Sequence, residues 1–90
     1  MGWPVPKLSE FFGIAVYMYW GDHGSPHFHA RYGGRKVSIA IEDGSVIAGG
    51  LPPRALGLVV EWALARRDEL ENAWQKASNY EPIEPIDPLE

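Results

Sequence analysis

The stretch HFHARYGGRKVSIAIEDGSVIA, residues 27–48, contains two turn signals between runs of β-branched and aromatic residues. Gly33-Gly34 and Asp43-Gly44 are each typical of a two-residue β-hairpin turn. These turns predict three antiparallel strands: His27 to Tyr32, Arg35 to Glu42 and Ser45 to Ala48. Residues 14–20, which are mostly β-branched or aromatic, predict a further strand before them.

The two turns also predict which side chains share a face of the sheet, because the turn sets the register of a hairpin. The first turn pairs Phe28 with Ile39 and His29 with Ser38, and the second pairs Ile39 with Ala48. One face is then apolar and suited to a core: Phe28, Ala30, Val37, Ile39, Ile41, Val46 and Ala48. The opposite face is polar: His27, His29, Arg31, Lys36 and Ser38.

A short helical turn is expected at residues 9–13, ended by glycine, and a long helix after the sheet. Pro52 and Pro53 suit a helix start, and residues 54–78 contain no proline. Apolar residues recur there at helical spacing: Leu56, Val59, Val60, Ala63, Leu70, Trp74 and Ala77. The predicted fold class is therefore α+β, a four-stranded antiparallel β-meander packed against one long C-terminal α-helix.

Composition indicates one small domain with a tail. The chain has 90 residues and no cysteine, so we expect a single compact domain over residues 1–80 with neither a disulfide nor a thiolate metal site. The net charge of the chain is −4, which equals the summed charge of the four acidic residues of the tail: Glu81, Glu84, Asp87 and Glu90. The neutral body is unlike a non-specific nucleic-acid binder, although it leaves a local basic patch open.

The tail, residues 81–90, is acidic and rich in proline, and it repeats proline, apolar residue and acid with the period of a polyproline II helix. Two interpretations stay open: a disordered tail, or a strap along a groove in this chain or in a partner. The start of the chain resembles no signal peptide, and no apolar run is long enough for a membrane span. We therefore expect a cytoplasmic protein without membrane contact.

All the histidines of the chain lie within seven residues, next to Asp22. Histidine is the commonest metal ligand and changes charge near neutral pH. In a first interpretation His23, His27 and His29 bind a metal, because the last two point the same way on a strand and the first lies on the preceding loop. Asp22 would be a fourth ligand or would orient a ligating imidazole. Zn²⁺ or Fe²⁺ suits these donors.

A second interpretation is metal-free acid–base chemistry on a phosphodiester, with one neutral and one protonated histidine. Arg31, Arg35 or Lys36 would stabilise charge on the phosphate. The predicted register places Arg31 opposite Lys36, and like charges that face each other are costly unless an anion lies between them. RNA is the obvious candidate anion. The candidate catalytic residues are His27, His29, Asp22 and Arg31.

A third interpretation is structural, with the histidines packed against Tyr17 or Tyr19 and no ligand. The loop between the first strand and His27 does not determine the register of that strand. The sequence therefore leaves open whether these tyrosines lie beside the histidines or on the opposite face.

Several short motifs span nearly the whole chain except the tail: Phe11-Phe12-Gly13-Ile14, Tyr17-Met18-Tyr19, Asp22-His23, PHFHARYG at 26–33, Leu51-Pro52, Arg54-Ala55-Leu56 and Glu61-Trp62. Together they resemble a family of small bacterial proteins known only as a domain of unknown function, in which Pro-Pro stands where this chain has Ser25-Pro26. Members of that family are often encoded beside a second small domain of unknown function that looks like a DNA-binding or antitoxin-type protein. The resemblance therefore implies a toxin–antitoxin-like pair and carries over no catalytic role.

These observations predict that the protein is the toxin-like member of a bacterial two-gene pair and that it acts on or binds RNA through the histidine face. The alternative is a non-catalytic module that docks a small protein partner, with structural or metal-holding histidines, and homodimerisation is left open. Exposure of Trp62, Leu64 and Trp74 in one patch would favour docking. Burial of these residues beside a wet polar face would favour an anion site.

Overall fold

The computed structural model describes residues 5–90, so the first four residues of the predicted domain lie outside it. The described residues form five strands and two helices: β1 (Lys7–Phe11), β2 (Ile14–Tyr17), β3 (His27–Tyr32), β4 (Arg35–Ala40), β5 (Val46–Gly49), α1 (Pro53–Ala65) and α2 (Arg67–Ser78). All strands pair antiparallel in sequence order. The α+β class and the meander are confirmed, whereas the sheet has five strands instead of the predicted four, and two helices replace the predicted single helix. Neither helix is long and apolar enough to span a membrane.

The extra strand is β1, which forms a hairpin with β2 where a helical turn was expected. Phe12 and Gly13 form the turn with φ angles of 50° and 78°, as a type I′ turn requires at both central residues. Phenylalanine seldom adopts a positive φ, so Phe-Gly lacks the Asn-Gly signal by which such a turn is recognised. The predicted helical turn at 9–13 is wrong for that reason.

The central hairpin has the predicted register. Phe28 pairs with Ile39, and His29 pairs with Ser38. Pairing between β2 and β3 places Tyr17 opposite His29, which settles the register that the sequence left open. The core-facing side chains of these three strands are buried: Ile14, Val16, Phe28, Ala30, Val37 and Ile39.

The second hairpin differs from the prediction. The Ala40 N–H donates to the Ser45 carbonyl oxygen at 2.9 Å, so a four-residue loop, 41–44, replaces the two-residue turn. Ile39 pairs with Val46 across a bulge, and not with Ala48. Val46 and Ala48 are consequently exposed, and their predicted place in the core is wrong.

Burial of Ile41 accounts for the wider loop. Ile41 lies just after the end of β4, yet its side chain is buried. The chain turns directly after Ala40, and this turn places the side chain in the core. The Ser45 N–H donates to the Asp43 carboxylate at 3.0 Å, which stabilises the loop. Hydrogen bonding by the Ser45 side chain, followed by that of its N–H, lowers the pKa of Asp43 below its ordinary value.

The predicted single helix at 54–78 is interrupted at Arg66, where φ is −112° and ψ is 23°. A straight helix would place Arg66 on the buried stripe, four residues after Trp62 and four before Leu70. The interruption leaves the guanidinium partly exposed, 3.4 Å from the Glu69 carboxylate. Leu70 and Trp74 of α2 remain buried.

Helix α1 covers the apolar face of the sheet, and Trp62 lies at the centre of this contact with 1% of its surface exposed. Its indole is 5.5 Å from the ring of Phe11 and 5.9 Å from that of Phe28, measured between centroids. The tail is attached to the same core. The Ile86 N–H donates to the Leu8 carbonyl oxygen at 2.7 Å, so the tail lies as a strap along β1.

Candidate functional site

The candidate site is built from β3 and from the loop 18–26 that precedes it. His27 and His29 project from the polar face of the sheet, because they alternate with the buried Phe28. Asp22 lies on the loop, which returns over the two imidazoles. Its Oδ1 accepts the backbone N–H of His23 at 2.9 Å, and this bond orients the carboxylate towards the strand.

The end of α2 anchors this loop. The Gly21 N–H donates to the Ala77 carbonyl oxygen at 3.1 Å, and Trp20 Nε1 donates to the Glu81 carbonyl oxygen at 2.9 Å. Gly21 has a φ of 68°, and the Tyr80 hydroxyl lies where a Cβ would stand. The positive φ favours glycine here, and a larger residue would also displace the exposed Tyr80 side chain. The hydrogen bond to Ala77 couples the site loop to the helix.

Asp22 joins the two histidines through a single oxygen. Its Oδ2 lies 2.9 Å from His27 Nε2 and 3.1 Å from His29 Nε2. The other ring nitrogens are also bonded, with His27 Nδ1 at 2.8 Å from the Ser25 carbonyl oxygen and His29 Nδ1 at 3.0 Å from Ser38 Oγ. The imidazoles are only 12% and 17% exposed. We call Asp22, His27 and His29 the histidine cluster.

Three aromatic rings enclose the histidine cluster. Tyr17 stacks on His29 with centroids 5.4 Å apart and an interplanar angle of 18°, and Tyr19 meets the same ring edge-on at 4.8 Å. Trp74 of α2 lies 5.1 Å from the His27 ring. The tyrosines were candidates in the sequence, whereas the contact of Trp74 was missed because its helical spacing indicated only a core residue.

Hydrogen bonds keep Asp22 ionised. Burial is the largest influence on its pKa and acts to raise it. The bonds from His29 and from the His23 N–H, together with the charges of His27 and His29, outweigh burial and lower the pKa below its ordinary value.

Not all predicted site residues come together. Ligand atoms of Asp22, His27 and His29 lie within 4.8 Å of one another, whereas His23 is exposed and contributes its backbone rather than its ring. Arg31 lies farther along β3, opposite Lys36 as predicted. The candidate residues therefore divide into the histidine cluster and a separate basic group.

The basic group lines a shallow cavity of about 180 Å³ next to the histidine cluster. Lys7, Arg31 and Lys36 supply positive charge, and Tyr17 and Tyr19 form the wall shared with His29. Sequence reasoning missed Lys7 because it missed β1, which brings this side chain beside Tyr17. We call this cavity the cationic pocket.

Two local interactions set the charge of the cationic pocket. Lys7 Nζ lies 2.6 Å from the Glu10 carboxylate, and this hydrogen bond lowers the pKa of Glu10. Burial, followed by the neighbouring Tyr19, raises the pKa of Tyr17, although Arg31 acts in the opposite direction. Tyr17 therefore stays neutral at physiological pH and can donate a hydrogen bond to an anion.

The hydrogen bonds restrict what the histidines can do chemically. Both nitrogens of His27 and both of His29 are engaged within the protein, so neither ring presents a free nitrogen to a bound phosphodiester. Metal-free acid–base catalysis would require breaking a bond to Asp22. Convergence of two Nε2 atoms on one carboxylate oxygen is, by contrast, compatible with a shared cation.

Acid is expected to remove the stabilisation that ionised Asp22 provides. Because the pKa of Asp22 is lowered in the folded protein, the stabilisation is complete above about pH 4 and is lost as pH falls through the folded-state value. Urea unfolding of the metal-free protein and of Asp22→Asn, between about pH 5 and pH 2, measures this effect. Their difference in free energy of unfolding should change as Asp22 protonates; a constant difference would contradict the assignment.

Comparison with known proteins yields a family and no characterised relative. A family model described as a domain of unknown function, DUF4160, matches residues 13–75. No curated protein and no solved structure matches the chain. The matched region contains the whole histidine cluster and the part of α2 that carries Trp74, so the resemblance to a family of unknown function is confirmed.

Proposed function

The chain belongs to the DUF4160 family, and we propose that it binds or acts on RNA in the cytoplasm as the toxin-like member of a bacterial two-protein pair. The observation that carries this proposal is the cationic pocket, in which basic and aromatic side chains adjoin the histidine cluster. The partner is a small antitoxin-type protein encoded nearby.

Uncompensated charge supports an anionic ligand. Arg31 and Lys36 occupy directly opposite positions on neighbouring strands, and within residues 5–90 neither forms an ion pair. Like charges at opposite positions destabilise a sheet. A phosphate group between them would relieve this repulsion and would form charge-assisted hydrogen bonds with the guanidinium.

The aromatic wall favours single-stranded nucleic acid over a free phosphate. Tyr19 is 40% exposed and sits on His29, which is stacked in turn on Tyr17. Proteins that bind single strands combine cations along the phosphate backbone with exposed aromatic rings on which bases stack. The cationic pocket is shallow, as expected for a chain that passes over the surface.

The tryptophans also favour the anion site over a docking patch. Trp62 and Trp74 are buried, whereas Leu64 alone of the three discriminating residues is exposed. The exposed face that carries chemistry is the polar one, with Arg31, Lys36 and the histidine cluster. Burial of both tryptophans beside an exposed polar face favours an anion site.

Charge reversal in the cationic pocket is expected to weaken RNA binding about tenfold or more. Fluorescence anisotropy with a short labelled single-stranded RNA measures the affinity of wild type and of the Arg31→Glu, Lys36→Glu variant. Loss of these two contacts should also reduce the salt dependence of binding, by roughly 1–2 in the slope of log K against log salt.

The matched control is Arg54→Glu with Arg67→Glu, which changes net charge equally at exposed helix positions outside the cationic pocket. It should weaken binding much less. Equal loss in both variants would mean that only net charge matters, and absence of binding by wild type would refute the proposal. Growth arrest on expression, relieved by the neighbouring gene product, tests the toxin-like role separately.

A second candidate function is docking of a small protein partner, and a second cavity supports it. This cavity of about 380 Å³ lies between the β1–β2 turn and α1, lined by Phe12, Tyr32 and Leu58 among others. Phe12 is 60% exposed with a φ of 50°, a strained placement for an aromatic residue that contributes little to the core. Co-purification with the neighbouring gene product, lost in Phe12→Ser, would support docking; self-association lost in the same variant would indicate a homodimer.

A further inference from the structure

We propose that Asp22, His27 and His29 bind one divalent transition-metal ion, with Asp22 Oδ2 and the two Nε2 atoms as ligands. The proposal follows from the convergence of these three atoms and from the partners of the opposite ring nitrogens. It differs from the ligand set expected from the sequence, because Asp22 takes the place of His23.

The hydrogen bonds of His27 identify which nitrogen would bind a metal. Its Nδ1 faces the Ser25 carbonyl oxygen at 2.8 Å, and a carbonyl oxygen only accepts, so Nδ1 carries a proton. Nε2 lies 2.9 Å from Asp22 Oδ2 and is the nitrogen left for a metal. A metal ion would replace the proton that joins Nε2 to the carboxylate, and both atoms would become its ligands.

His29 has the same arrangement. Its Nδ1 lies 3.0 Å from Ser38 Oγ, which can accept a hydrogen bond from the ring, so that Nε2 can exchange its proton for a metal ion. Histidines that bind metals almost always donate the other N–H to a carboxylate, a backbone carbonyl or another polar group. Ser25 and Ser38 thus serve as orienting partners of the two imidazoles.

The dimensions suit a small ion. The ligand atoms lie within 4.8 Å of one another, and those of His27 and His29 are 2.9 and 3.1 Å from Asp22 Oδ2. Zinc–nitrogen bonds of about 2.0–2.1 Å in a tetrahedron separate neighbouring ligand atoms by roughly 3.3 Å. The two distances from Asp22 Oδ2 therefore need to change by only a few tenths of an ångström to accommodate the ion.

The donor set indicates the class of metal. Two imidazoles and one carboxylate are the ligands of catalytic zinc sites and of non-haem Fe²⁺ sites, and both leave coordination positions open. The absence of any cysteine in the chain excludes thiolate-dependent sites. Zn²⁺ and Fe²⁺ are consequently the expected ions, and Co²⁺ is a suitable spectroscopic substitute.

A metal ion at this site would extend the proposed function. Binding of the ion does not depend on that function, whereas a catalytic role of the ion rests on it. Tyr17 stacks on His29 and lines the cationic pocket, so the cluster is separated from a bound phosphate by about one ring. When bound, the ion would supply Lewis-acid activation of a water molecule. Arg31 and Lys36 would hold the phosphodiester beside it.

Metal binding can be measured without any activity assay. Untagged protein is titrated with Co²⁺, and binding is followed by visible absorption and by quenching of tryptophan emission. Trp74 lies 5.1 Å from His27, so it should be quenched, and Trp74→Phe should remove most of this signal while retaining the absorption. We expect stoichiometric binding that Zn²⁺ displaces.

Variants identify the ligands. His27→Ala with His29→Ala, and Asp22→Asn, should abolish stoichiometric binding, and neither change affects a core residue. His23→Ala is the control, because it removes an imidazole from an exposed position outside the proposed ligand set. This variant should bind metal like wild type. Ser38→Ala should weaken binding about 10–100-fold through the orientation of His29.

The outcomes separate this inference from the proposed function. The metal site would be refuted if folded wild-type protein bound no metal, or if the double variant bound metal as well as wild type does. Either result would leave the RNA-binding proposal to be tested separately. Metal bound by a protein that binds no RNA would retain the site and refute the proposed function. Thermal unfolding of each variant establishes that loss of metal is not loss of fold.

Discussion

Val37→Asp is expected to unfold the protein, whereas Val46→Asp is expected to leave it folded. Val37 is 2% exposed on the core face, and among residues 5–90 the only buried polar or charged residue is Ser9, so an aspartate there would have no buried cation to pair with. An uncompensated buried charge costs about 3–5 kcal/mol, in addition to the lost apolar contacts. A domain of this size has a free energy of unfolding of about 5–15 kcal/mol.

Val46 is the informative control because the sequence alone places it on the same face as Val37. In the structure the bulge opposite Ile39 turns it outward, and 45% of its surface is exposed. An aspartate there should change the free energy of unfolding by only about 0.5 kcal/mol. Urea unfolding followed by circular dichroism compares the two variants.

The two results test different statements. If Val46→Asp also unfolded the protein, Val46 would lie in the core, as the predicted two-residue turn at Asp43-Gly44 requires, and the four-residue loop would be wrong. A soluble Val37→Asp protein that unfolds cooperatively with nearly wild-type stability would mean that the apolar face of β3 and β4 is not the core.

Trp62→Ala is expected to lower the free energy of unfolding by about 3–5 kcal/mol, the usual range for removal of a buried aromatic side chain. The indole packs against Phe11 from β1 and Phe28 from β3. It also donates from Nε1 to the Asp87 carbonyl oxygen at 2.8 Å. One side chain therefore joins the helix, the sheet and the tail.

Trp62→Phe separates packing from attachment of the tail. It keeps an aromatic ring but loses the hydrogen bond to Asp87, which is worth about 0.5–1.5 kcal/mol. Hydrogen exchange at the Ile86 amide, which is bonded to Leu8, should accelerate in this variant. Unchanged exchange would show that the tail does not depend on the indole, and a small effect of Trp62→Ala would refute its central place in the core.

The sequence by itself determined the central hairpin and its two faces. A Gly-Gly turn permits the positive φ that a tight hairpin needs, and a period of two then assigns every side chain of β3 and β4 to a face. Phe28, Val37 and Ile39 are buried as that rule requires. The placement of His27 and His29 together on the polar face follows from the same local chemistry.

Tertiary structure decided the features in which local preference was ambiguous. Phe12 accepts an unfavourable φ because β1 gains a pairing partner in β2. The four-residue loop forms because Ile41 gains burial, and the helix is interrupted because Arg66 would otherwise face the core. In each case packing against the core outweighs a local preference of about 1 kcal/mol.

The candidate site divides in the same way. The sequence identified the histidines and Asp22 by residue type, and the register alone placed Arg31 opposite Lys36. Only the fold brings Asp22 Oδ2 to both Nε2 atoms, since a glycine-containing loop has many conformations and α2 selects one through Gly21 and Ala77. Residue type determines which chemistry is available, and long-range packing determines which of those residues meet.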